Sequence, residues 1–170
     1  MMKKRDSVDF EIKKDLINSF EKVKSIVKKE EGFSRAGLML GLQELSTNIN
    51  GFIGAYYPVA SNIIIMNKTP MRRLLETNPN LFKPYSVHIL LHEYIHSLGF
   101  LNENITRQKT QFISEKYFGL DHAITQFSTN MGKFIPNLIY PINGWMPQNI
   151  TAEIEIIKGF DKTNTEFYIS

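Results

Sequence analysis

Residues 84–99, which read Pro-Tyr-Ser-Val-His-Ile-Leu-Leu-His-Glu-Tyr-Ile-His-Ser-Leu-Gly, constrain this chain more than any other segment. Pro84 suits a first helical turn and Gly99 suits a helix end, so the stretch between them is predicted to form one helix. Val87, Ile89, Leu90, Leu91, Tyr94, Ile95 and Leu98 leave it apolar on nearly every face, the pattern of a helix inside a core. Yet the same helix carries His88, His92, Glu93 and His96, and polar groups taken into a core must find partners there.

The spacing of those groups is chemically informative. Residues four apart on a helix lie one above the other, so His92 and His96 can send both imidazoles to a single zinc ion at the ~2.0–2.1 Å such bonds need. The chain has no cysteine, so any metal must be held by His, Asp or Glu, and disulfides and a cysteine nucleophile are excluded. Glu93 is rotated about 100° from His92 and flanks the metal instead of joining its ligands. There it can take the proton of an attacking water as general base and later deliver it to a leaving amine.

A catalytic zinc needs a third protein ligand, and Glu103, Glu115, Asp121 and His122 are the candidates in the following segments. Glu115 is favoured, because a helical hairpin would fold its carboxylate back toward the histidines; Glu103 and the Asp121/His122 pair stay open. The metzincin pattern would put the ligand at Asn102, a poor zinc donor, so that branch is disfavoured even with Met131 downstream.

The surrounding chain supplies a frame for this helix. Residues 8–29 carry Phe10, Ile12, Leu16, Ile17, Phe20, Val23, Ile26 and Val27 at three-to-four spacing, an amphipathic helix ended by Gly32. Segments 36–42, 51–57 and 62–66 are predicted strands, the last two a hairpin across 58–61. Short helices follow at 69–77, at 103–118 ended by Gly119, and from Asp121 to about residue 131. Beyond residue 132 the chain changes character, with prolines, glycines and strand-like stretches at 152–157 and 166–169.

HEYIHSLG, the glutamate-bearing helix after it, and the preceding FIGAYY and NIIIMN segments resemble the gluzincin branch of the zincin metallopeptidases. The layout over residues 8–132 is most similar to the short archaeal minigluzincins, and residues 92–99 carry the specific motif. The resemblance implies an α+β, zincin-like fold: an N-terminal helix, a small three-stranded mixed sheet, an active-site helix and a glutamate helix. It implies His92, His96 and Glu115 as zinc ligands, Glu93 as general base, and an edge strand near residues 54–57 that pairs with extended peptide substrate. In one respect the chain departs from that branch, which has an aspartate four residues after the liganding glutamate, where this chain has Gly119. Histidine orientation must then come from a backbone carbonyl or another acid.

The expectation is therefore a zinc-dependent metallopeptidase built as a catalytic domain, 1–132, plus a C-terminal extension, 133–170. A catalytically silent zincin domain serving as a zinc-binding regulator is the alternative, and Glu93 argues for the enzyme. His122, Tyr56, Tyr57 and Tyr117 are candidate hydrogen-bond donors to a tetrahedral oxyanion, and His88 either packs or lines the cleft. The extension carries Trp145, Ile154, Ile156, Ile157, Phe160, Phe167 and Tyr168, apolar groups that need a surface. It is expected to fold over the active site as a latency segment, in cis or from a second copy, with Glu153, Glu155 or Asp161 approaching the metal, or else to pack elsewhere as structure.

With 170 residues, 42% of them hydrophobic, the chain is long enough for one core and short for two. Its net charge of +3 is too weak and too concentrated in the first thirty residues to argue for nucleic acid. Asp9, Glu11, Lys13, Lys14 and Asp15 stand where a signal peptide would need its apolar segment, and no run approaches the ~18 apolar residues of a membrane span. A cytoplasmic protein without membrane attachment is the expectation.

Overall fold

The computed structural model describes residues 3–45, 51–140 and 153–161. Among the described residues, five α-helices and a small mixed sheet make an α+β architecture. The first helix, α1 (Lys4–Glu31), stops at Gly32, whose φ of 79° is the left-handed cap conformation that glycine adopts without a Cβ penalty. It buries Ile12, Leu16, Phe20, Val23 and Val27, each contributing about 1.5–3 kcal/mol. Phe10, expected on that stripe, is instead 59% exposed.

The main sheet has the order β3-β4-β1-β6. Strands β1 (Met39–Gln43) and β4 (Ile63–Asn67) run parallel, and β3 (Ala55–Tyr56) pairs antiparallel with β4 as the expected hairpin. The fourth strand, β6 (Glu155–Ile157), lies antiparallel to β1 and comes from the C-terminal extension. A sheet of three strands was expected from residues 36–66, and its fourth strand has no counterpart there. A separate pair joins β2 (Phe52–Ile53) in parallel to β5 (Leu138–Ile139).

After β4, α2 (Lys68–Thr77) is capped by Asn67, whose side chain accepts from the Thr69 amide. The central helix α3 (Phe82–Ser97) follows, and only Lys83, Pro84 and His96 escape full burial. Helix α1 packs across it, with Phe20 edge-on to Tyr94 at 5.5 Å. Asn102 caps α4 (Glu103–Phe118) by accepting from the Ile105 amide, and His122 rather than Asp121 caps α5 (Ala123–Phe134).

The described part of the extension is woven into this core. Phe160 is 2% exposed and stacks on Phe20 at 3.9 Å between ring centroids. Asp161 meets the buried Lys24 ammonium at 2.6 Å and accepts from the Gly37 amide at 3.0 Å. Trp145, Phe167, Tyr168 and the strand expected at 166–169 lie outside the described residues. Among the described residues no helix is long and apolar enough to cross a membrane.

Candidate metal centre

Helix α3 presents Tyr85, His88, His92 and His96 along one stripe, since residues three, seven and eleven positions on return to the same face. The chain then turns sharply at Gly99, which has a φ of 107° and open space where a Cβ would stand. Asn102 starts α4 immediately afterwards, so Glu103 occupies the first turn of α4 directly opposite the histidines. His92 Nε2 lies 2.9 Å from Glu103 Oε1, and His96 Nε2 lies 3.0 Å from Glu103 Oε2. Among the described residues these three form the one group whose ligand atoms all fall within 4.8 Å of one another.

Glu115, the favoured third ligand, is not part of this group. Its carboxylate accepts from Gln111 Nε2, one turn back on the same helix. The physical reason is helical rise: residue 115 lies about 18 Å along the axis from residue 103, so only the first turn of α4 can reach the histidines. His122 is used in capping α5, and Asp121 is outside the group as well.

The donor set fits a metal ion in a second way. Among the described residues, the buried side-chain polar atoms without a hydrogen-bond partner are Ser19 Oγ, Tyr85 Oη, His88 Nδ1, His92 Nε2 and Glu103 Oε1. His92 Nε2 and Glu103 Oε1 are close enough to bond yet are not aligned as donor and acceptor. Two orphaned buried donors facing one space, with a third ligand beside them, are what a cation site requires; ordinary buried groups would pair with each other.

Orientation of His96 comes from the turn itself. Its Nδ1–H donates to the Phe100 carbonyl at 2.8 Å when Nε2 faces the metal group, and the Thr106 hydroxyl bonds the same carbonyl at 2.7 Å. The Phe100 carbonyl is thus the acceptor that fixes the His96 ring.

The electrostatics agree with this division of labour. Burial works to raise the Glu103 carboxyl, but the two histidines outweigh it and hold it near 2. Burial lowers His96 and its carboxylate neighbours Glu103 and Glu93 more than reverse that, leaving it raised. Burial raises the Glu93 carboxyl above the usual range, moderated by His92 and His96. His88 is held down to about 3, chiefly by burial, and so is neutral.

Two residues that the sequence did not single out complete the surroundings. Tyr140, just past β5, places its hydroxyl 2.7 Å from His88 Nε2 and its ring 4.9 Å from that of His92. Tyr85 puts its hydroxyl against Gly54, where a Cβ would come within 2.7 Å of it. Gly54 thereby lets the β2–β3 segment lie against α3. The i, i+3, i+7 relation of Tyr85, His88 and His92 was a legible signal for Tyr85; nothing local marked Tyr140.

The other expected contributors are engaged elsewhere. Tyr56 donates to Gln43, Tyr57 to the Ser61 carbonyl and Tyr117 to Glu30. Glu155 pairs with Lys13 and Lys68, and Asp161 with Lys24, so neither acid approaches the histidines; Glu153 is exposed and outside the group. Compared with known proteins, the chain matches no protein-family model, no curated protein and no solved structure.

Proposed function

We propose that this chain is a zinc-dependent metallopeptidase of the zincin type, with His92, His96 and Glu103 holding the metal and Glu93 acting as general base. The observation that carries this is the convergence of two imidazoles and a carboxylate within 4.8 Å, beside a buried glutamate that is not one of them. A structural site has no use for that fourth group. The likeness to gluzincins lies in the donor types, two histidines and a glutamate, while the glutamate stands at the start of α4 instead of midway along it.

When bound, zinc supplies Lewis acidity, lowering the pKa of a water toward ~7 and polarising a scissile carbonyl. Glu93, with its pKa raised by burial, is a stronger base than an exposed glutamate. It accepts the proton of the attacking water and passes it to the departing amine. Glu103 stays ionised beside the two histidines, and Phe100 with Thr106 keeps the His96 ring in place. Strand β3, at the outer edge of the sheet, offers backbone groups to an extended peptide.

A second reading, that the full-length chain is latent or catalytically silent, is favoured by Tyr140, whose ring lies against His92. In that state the extension limits access to the centre through Tyr140 and not through an acid. Metal analysis of the purified chain with peptide-library cleavage, with and without chelator, tests the main proposal. Glu93→Gln should keep the metal within about twofold and lose about 10²–10⁴-fold in hydrolysis, since an amide cannot accept the proton. Zinc-loaded Glu93→Gln with near-full activity would remove Glu93 as the base.

A further inference from the structure

Tyr140 sits among side chains carried by the helices. His88 and His92 of α3 contact it directly, Phe127 of α5 backs His88 at 6.3 Å between rings, and the exposed Arg107 of α4 sets its guanidinium 5.0 Å above the Tyr140 ring. Both histidines are almost fully buried, whereas Tyr140 is only partly so and follows a strand of two residues. Walls fixed by packed helices and an occupant on a short strand differ greatly in how easily they move.

The way Tyr140 arrives matters too. Leu138 and Ile139 pair with Phe52 and Ile53, and the Phe52 amide donates to the Asn137 carbonyl at 2.8 Å. A short extended segment lying on a strand edge, with the next side chain entering a pocket, is how peptides are bound by strand addition. The same His88 ring also holds polar capacity that Tyr140 does not use, since His88 Nδ1 is buried and has no partner.

We infer that this pocket is a side-chain subsite for a phenolic residue of a peptide, beside the metal centre, and that Tyr140 fills it as an internal stand-in. This rests on the peptidase reading for its substrate class. The ring is recognised by the His92 face and the Arg107 guanidinium, and the hydroxyl by His88 Nε2. Tyrosine is then preferred over phenylalanine by the hydrogen bond, and phenylalanine over leucine by the ring contacts.

The test uses full-length Tyr140→Ala, metal-free and zinc-loaded, titrated with N-acetyl-tyrosinamide, N-acetyl-phenylalaninamide and N-acetyl-leucinamide and followed by NMR of the histidine rings. The tyrosine amide should bind about five- to tenfold more tightly than the phenylalanine amide, the worth of one buried hydrogen bond. The wild-type chain, with the pocket filled, should bind each of them more weakly than the variant does. His88→Leu in the same background should abolish the tyrosine preference. If that double variant does not fold, a His88 ring shift seen with the tyrosine amide and not with the phenylalanine amide reports the same contact. Equal binding of the three amides, or no binding to Tyr140→Ala, would overturn the assignment. Because the metal-free protein gives the readout, a failure to hydrolyse peptides would sink the peptidase proposal without deciding this one.

Discussion

The sharpest perturbation is a matched pair, Glu103→Ala and Glu115→Ala. Glu103 bridges the two histidines at 2.9 and 3.0 Å, whereas Glu115 accepts a hydrogen bond from Gln111 and stands outside the group. Four-ligand zinc sites bind with roughly 10–16 kcal/mol, or about 2.5–4 kcal/mol for each protein ligand. At 1.4 kcal/mol per decade, Glu103→Ala should weaken zinc by about two to three decades. Glu115→Ala removes one hydrogen bond at a half-buried position and should leave metal affinity unchanged while costing at most about 0.5 kcal/mol of stability. The assay is competition against a chromophoric chelator in metal-buffered solution, with circular dichroism confirming that both variants fold. Wild-type zinc affinity in Glu103→Ala, or a hundredfold loss in Glu115→Ala, would refute the assignment of the third ligand.

Three further outcomes are expected. Thr106→Val, which removes the hydroxyl bonding the Phe100 carbonyl and lying 3.2 Å from His96 Nδ1, should lower zinc affinity by about tenfold in the same titration. Tyr140→Ala should raise hydrolysis of a quenched peptide by about fivefold at equal zinc occupancy, the worth of the ~1 kcal/mol hydrogen bond that closes the pocket; unchanged activity would show that Tyr140 does not restrict access. Phe160→Ala should cost about 3–5 kcal/mol in denaturant unfolding, because the ring is enclosed and stacked on Phe20, and a loss below about 1 kcal/mol would mean that the extension is not part of the core. Truncation near residue 134 is a poor test of latency for the same reason, since it also removes β6, Phe160 and Asp161.

What the sequence determined by itself is local. Helix ends at Gly32 and Gly119, the start of α4 at Glu103 and the burial of α3 follow from backbone hydrogen bonding, glycine's conformational freedom and apolar periodicity, which act within a few residues. The placement of His92 and His96 on one stripe with Glu93 beside them is equally local, because one helical turn sets it. Tertiary structure decided everything that depends on how those pieces meet. Glu103 and Glu115 are both helix carboxylates, and only the tight turn at Gly99 and the direction of α4 put the first against the histidines and the second far from them. Tyr140 at His88, β6 beside β1 and Asp161 on Lys24 join residues 52, 117 and 137 positions apart, or nearly so, and no periodicity in the chain encodes such meetings. They are settled by which surfaces remain unburied once the helices have packed, and that is a property of the whole fold.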